Sequence, residues 1–111
     1  HGHQAGDEVL RIVAQTACEV IRETDCVGRY GGEEFMLLLA GSDLEGGRST
    51  AERLRAATEA LAFTRIGADF RVTISLGLAC HHPGEHIEQT ISRADTALYR
   101  AKAAGRNRVV S

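Results

Sequence analysis

The chain has 111 residues, 43% of them hydrophobic and 25% charged, which suits one globular domain and excludes a disordered segment. Its longest fully apolar run, Phe35 to Ala40, falls far short of the ~20 residues that a membrane helix needs. The net charge of −2 provides no basic field for nonspecific nucleic-acid binding, so a phosphate ligand must be held by locally placed cations.

The opening, HGHQAGDEVL, is polar and has no signal-peptide core. Val9, Leu10, Ile12, Val13, Ala17, Cys18, Val20 and Ile21 then recur at helical spacing. They predict an amphipathic helix over residues 7–23, with Asp7 as its N-cap or first-turn acid. Residues 26–30 and 34–39 read as two short strands joined at Gly31-Gly32, where paired glycines would supply the positive φ of a tight hairpin turn. Residues 40–50 read as a loop running into a second helix, whose face is Ala51, Leu54, Ala57 and Leu61.

From Phe70 to Ala79, the alternation of Phe70, Val72, Ile74, Leu76 and Leu78 predicts a half-buried strand. CHHPGEH, which holds the only proline, is a turn. Ile87, Ile91, Ala94, Leu98 and Ala101 mark a third helix, Gly105 ends it at a C-cap position, and NRVV closes the chain as a strand. The order helix, strand, strand, helix, strand, helix, strand predicts an α+β or α/β sandwich, with helices covering one or both faces of a sheet. A chain of this pattern is expected to open on a strand, whereas this one is read as opening on a loop.

Cys18, Cys26 and Cys80 are odd in number, far apart and set in apolar stretches, which reads as reduced packing residues of a cytoplasmic protein. The histidines gather as His1 and His3, and as His81, His82 and His86. Without Cys or carboxylate partners at ligand spacing, they read as polar loop residues rather than zinc ligands.

The chemistry centres on RYGGEEF, where Glu33 and Glu34 stand at the mouth of a greasy strand. Phosphoryl transfer uses a divalent cation, and magnesium takes one or two carboxylates plus phosphate oxygens. Adjacent side chains of a regular strand point to opposite faces, but at a turn that rule relaxes. On charge alone, two solvated acids at a hairpin tip is the stronger reading.

Context reverses this. GHQAGDEVL, RYGGEEF, VTISLGLA and ADTALYRAKAAGRNRVV follow one another across the whole chain and resemble the motifs of the GGDEF family, the diguanylate cyclases, in its GGEEF form. The resemblance implies an α+β nucleotidyl-cyclase or polymerase-palm fold, with a ferredoxin-type sheet and flanking helices. It implies condensation of two GTP into cyclic di-GMP with release of two pyrophosphates, in a face-to-face homodimer that uses Mg2+ or Mn2+. By position, Glu33 is a metal ligand and proton acceptor, and Glu34 is its neighbour with metal or hydroxyl-activating roles. Gly31 and Gly32 make room for GTP. Asp7 matches the acid that hydrogen-bonds the guanine edge, as an acceptor should; the plain alternative is a helix cap. Lys102 and Arg106 match cations that grip the terminal phosphates; the plain alternative is a charge cluster offsetting a helix dipole.

RETD resembles the R-x-x-D of the family's inhibitory site, so Arg22 and Asp25, helped by Arg53, are expected to bind a cyclic di-GMP dimer. The plain alternative is an i,i+3 ion pair. In the family, an upstream segment carries the first strand, a metal-binding aspartate and a guanine-binding asparagine. The 111 residues are therefore expected to be a partial domain, lacking the first strand and preceding helix, inactive alone, and open to strand exchange between copies. The alternative to an enzyme is a catalytically silent domain that senses cyclic di-GMP or GTP; the unbroken GGEEF favours the enzyme. Neither nucleic acid nor membrane is an expected partner, and the expected place is the cytoplasmic output of a larger sensor.

Overall fold

The computed structural model describes residues 2–63 and 71–111, with side chains from Gly6 onward. Its elements are α1 (Gly2–Val20), β1 (Cys26–Arg29), β2 (Phe35–Leu38), α2 (Leu44–Glu59), β3 (Leu76–Gly77), α3 (Ile87–Ala103) and β4 (Val109–Val110). Type and order agree with the sequence reading, and the α+β class holds.

α1 starts at Gly2, so the chain opens on a helix rather than a loop, and Asp7 lies inside that helix rather than at its cap. Apolar periodicity reports only the buried part of a helix, and the polar residues before Val9 extend it without needing a core. α1 ends at Val20, short of the expected Glu23, because a turn intervenes: the Asp25 N–H donates to the Arg22 carbonyl at 2.9 Å.

β1 and β2 pair antiparallel, with Val27 opposite Leu37 and Arg29 opposite Phe35. The Glu34 carbonyl closes the ladder, accepting from the N–H groups of Tyr30 (2.8 Å) and Gly31 (3.3 Å). Gly31 and Gly32 do not have positive φ, so the expected tight glycine turn is instead a wider bend that carries Glu33 at its tip.

α2 begins at Leu44, within the stretch read as loop. The Asp43 carboxylate caps it, accepting from the Gly46 N–H at 2.7 Å. Gly46 and Gly47 disguised this start, since both are poor helix formers. Gly47 is buried, and a Cβ there would lie 3.2 Å from Leu78. The buried face of α2 is Gly47, Ala51, Leu54 and Thr58. Ala57 and Leu61 are only half-buried. Fully buried Thr58 satisfies its hydroxyl by donating to the Leu54 carbonyl at 2.8 Å.

β3 and β4 pair in parallel, Leu76 with Val109 and Gly77 with Val110. β3 is much shorter than the expected strand, whose Phe70 lies outside the described residues. Val72 and Ile74 keep the half-buried alternation, but the ladder runs only where the two residues of β4 lie alongside. At Gly77 the backbone of α3 comes so close that a Cβ would overlap the Ala94 carbonyl. The core is small and helical in origin: Val13 and Ala17 from α1, Ala51 and Leu54 from α2, Ala97 and Ala101 from α3, closed by Phe63.

The turn before α3 is fastened by Glu85, which accepts from the His82 N–H (2.8 Å), Thr90 (2.8 Å) and Arg93 (2.6 Å). The His81 ring joins it through Thr90 at 2.6 Å. α3 ends in a Schellman motif: Arg106 N–H bonds the Ala101 carbonyl (2.9 Å) and Gly105 N–H the Lys102 carbonyl (3.3 Å). Gly105 sits at φ 123°, one position past the cap residue Ala104.

Candidate active site

A cleft of about 450 Å³ opens where the β1–β2 bend faces the end of α3. Val13, Ala17, Leu37, Leu54 and Leu98 form its apolar floor. Glu33, Glu34, Lys102 and Arg106 supply its charge. Four candidate residues from two distant stretches of sequence thus meet around one space. None of the four side chains has a hydrogen-bond or ion-pair partner among the described residues, so all are available to a ligand.

Local structure explains their placement. Glu33 stands on the bend and Glu34 at the strand mouth, which removes the opposite-face objection of a regular strand. Arg29 stiffens the bend, donating from Nε to the Gly31 carbonyl at 3.3 Å and from Nη2 to the Gly32 carbonyl. Sequence reasoning passed over Arg29; a cation two residues before a glycine pair was the available signal. Lys102 lies in the last turn of α3 and Arg106 just beyond the Schellman turn. Gly31 and Gly32 are exposed beside the two acids, Gly32 in open space, but they do not line the cleft. Asp7 is exposed on α1, outside the cleft lining.

The two carboxylates, Glu33 and Glu34, offer oxygen donors of the kind magnesium or manganese takes together with phosphate oxygens. Among the described residues, no group of three or more His, Cys, Asp or Glu gathers as a protein-only metal cage.

Arg22, Asp25 and Arg53 lie apart from this cleft. Asp25 is committed to the fold: one carboxylate oxygen accepts from the Ala40 N–H at 2.8 Å and the other from the Arg22 N–H at 2.9 Å. Its side chain is 3% exposed. The Arg22 N–H lowers the Asp25 pKa below its ordinary value; burial opposes this, and the Ala40 N–H and the Arg22 charge reinforce it. The Arg22 guanidinium remains 62% exposed while donating to the Ala40 carbonyl (2.8 Å) and Ser42 (3.1 Å). Arg53 donates to the Val20 carbonyl at 3.2 Å, which brings it to the end of α1 beside this corner.

Residues 1–108 match the family model described as diguanylate cyclase, GGDEF domain, and the chain belongs to that family. Diguanylate cyclase DgcP of Pseudomonas aeruginosa is 46% identical over 108 residues, covering 97% of this chain and 16% of the relative. Diguanylate cyclase DgcM of Escherichia coli K12 is 42% identical over 111 residues, covering 100% of this chain and 26% of the relative. Among solved structures, diguanylate cyclase SiaD of Pseudomonas aeruginosa, in complex with its activator SiaC, superposes with a TM-score of 0.91 at 43% identity, covering 98% of this chain and 42% of that one. The GGDEF domain of DgcB from Caulobacter crescentus, in complex with c-di-GMP, gives 0.91 at 36% identity over 98% of this chain and 66% of that one. The chain therefore spans about a quarter or less of these two curated relatives.

Proposed function

We propose that this chain forms the GTP cleft of a diguanylate cyclase. The observation that carries the reading is the meeting of Glu33, Glu34, Lys102 and Arg106 around one cleft, with no side-chain partner among the described residues. In this reading, Lys102 and Arg106 hold the terminal phosphates of GTP. The 3′-hydroxyl of a GTP in a facing copy attacks the α-phosphate: the O3′–Pα bond forms, the bond to the β-phosphate oxygen breaks, and pyrophosphate leaves. The two cations offset the charge that builds on that leaving group. Glu33 accepts the hydroxyl proton. A second, reciprocal step closes the ring and releases the second pyrophosphate.

Glu33 and Glu34 are the residues that would hold Mg2+ or Mn2+, which when bound neutralises phosphate charge and acidifies the hydroxyl. Asp7, from α1, would accept from the guanine edge. One cleft holds one GTP, so the reaction needs a homodimer. Unbroken GGEEF with free carboxylates favours this over a silent sensor.

A larger cleft, about 610 Å³, lies between β2 and β3 and is lined by Leu37, Leu39, Leu76 and Leu78. A further strand from an upstream segment, or from a second copy, would join the two ladders into one sheet, and the 111 residues alone should make no cyclic di-GMP. For product inhibition, Arg22 and Arg53 are the ligand-facing groups and Asp25 fixes the corner that presents them. No helix among the described residues is long and apolar enough to cross a membrane; GTP chemistry suits a cytoplasmic domain.

The test is Glu33→Ala in the full-length protein, with GTP and Mg2+ and chromatography of the products. Cyclic di-GMP formation is expected to disappear with little change in Tm, because Glu33 is exposed on a bend. Retained turnover would sink the assignment.

A further inference from the structure

Gly105, Arg106 and Asn107 follow one another at φ 123°, 64° and 50°. Left-handed backbone at two successive non-glycine residues is uncommon, and Arg has none of the asparagine preference for it. Such a conformation persists only where the surroundings over-determine it. Here they do, and Asn107 is at the centre. Its Oδ1 accepts from Arg55 Nη1 at 2.9 Å, its Nδ2 donates to Glu59 at 2.5 Å, and its N–H donates to the Ser75 hydroxyl at 3.2 Å.

The anchors are themselves fixed. Arg55 is 17% exposed and binds Glu52 through both Nε and Nη2, with contacts from 2.6 to 3.0 Å. The Glu52 hydrogen bond raises the Arg55 pKa further, and Arg55 in turn holds Glu52 below its ordinary value. On the other side of the turn, Arg108 Nε donates to the Arg106 carbonyl at 3.1 Å. Arg106 is thus clamped at the backbone before and after it, while its side chain lines the cleft with no partner among the described residues.

We propose that Asn107, held by Arg55 and Glu59 of α2, is a positioning residue that fixes the left-handed turn and so aims the Arg106 guanidinium at the terminal phosphates of the nucleotide. A guanidinium binds phosphate through a planar fork, and a fork must be oriented to make both bonds. The inference rests on the phosphate reading of Lys102 and Arg106. It adds that the specificity for a triphosphate over a monophosphate is set partly from α2, through a residue that never touches the ligand.

The test uses the full-length protein with 3′-deoxy-GTP, which lacks the attacking hydroxyl and can bind without condensing, and with GMP, which lacks the terminal phosphates. Arg106→Ala is the reference and should lower 3′-deoxy-GTP affinity about tenfold while leaving GMP affinity unchanged. Asn107→Gly keeps the backbone freedom and loses the anchor, and should give the same selective loss, about fivefold or more. Glu59→Ala should follow it, whereas Glu59→Gln, which keeps the accepting oxygen, should retain affinity. If Arg106→Ala leaves 3′-deoxy-GTP binding intact, the phosphate reading itself fails. If Arg106→Ala is selective but Asn107→Gly is not, or Asn107→Gly weakens both nucleotides equally, the positioning role is overturned and the phosphate reading stands.

Discussion

Asp25 accepts one N–H from each side of the corner where α1 gives way to β1, from Arg22 and from Ala40 in the turn after β2. Those bonds favour the charged carboxylate in the folded chain only, so its folded pKa lies below its ordinary value of 3.8. A depressed carboxylate stabilises the fold above its unfolded pKa, and that contribution is lost as pH falls through the folded pKa. Asp25→Asn should therefore lower Tm at pH 7, and the gap to the wild type should narrow below about pH 4. Parallel Tm curves for the two proteins from pH 7 to pH 3 would contradict this.

At the same corner, Arg22 is the exposed partner, and its expected role is distinct. Arg22→Ala should abolish cyclic di-GMP binding by calorimetry. Arg22→Lys, which keeps the charge but loses the planar fork, should bind weakly. Unchanged titration curves in both variants would remove the inhibitory site from this corner. For Arg22 and Asp25 the sequence offered two readings, ion pair or ligand site. The structure holds the ion pair, Arg22 Nε to Asp25 Oδ2 at 3.7 Å, but it also commits Asp25 to two backbone N–H groups and leaves the arginine as the exposed member, a distinction that spacing alone could not draw.

At the scale of elements, α1, α3 and the β1–β2 pair were legible because their apolar residues repeat at one clear period. The start of α2 was hidden, because its information lies in a cap rather than a stripe: Asp43 supplies the missing acceptor while Gly46 and Gly47 argue for a loop. Glycine at 47 is there for packing, against Leu78 and Leu39, and that neighbour is more than thirty residues away for Leu78. Strand length in the Phe70 to Ala79 stretch was overestimated for a related reason. Alternation reports a half-buried extended segment, whereas a ladder also needs a partner edge, and β4 supplies only two residues of one. The hairpin glycines illustrate the converse: Gly31 and Gly32 were read for positive φ, yet the positive values fall at Gly41, Gly84 and Gly105. The candidate site was largely legible through its motifs, but its supports were not. Arg29, Arg55 and Asn107 act through bonds to backbone or to distant side chains, and periodicity carries no trace of those.

For the whole molecule, the charges of the cleft come from two distant stretches of the chain: two acids from a bend near residue 33 and two cations from the end of α3. The small helical core, including Leu54, Ala97 and Ala101, is what brings these stretches together. In the proposed reading, the leucine-lined cleft between β2 and β3 takes a further strand that completes the sheet before the site turns over. The most direct measurement is the joint quantification of cyclic di-GMP and pyrophosphate from the full-length protein with GTP and Mg2+. Two pyrophosphates per cyclic di-GMP are predicted, with neither formed by the 111 residues alone. GDP and inorganic phosphate without a cyclic dinucleotide, or product formed by the 111 residues alone, would contradict the account.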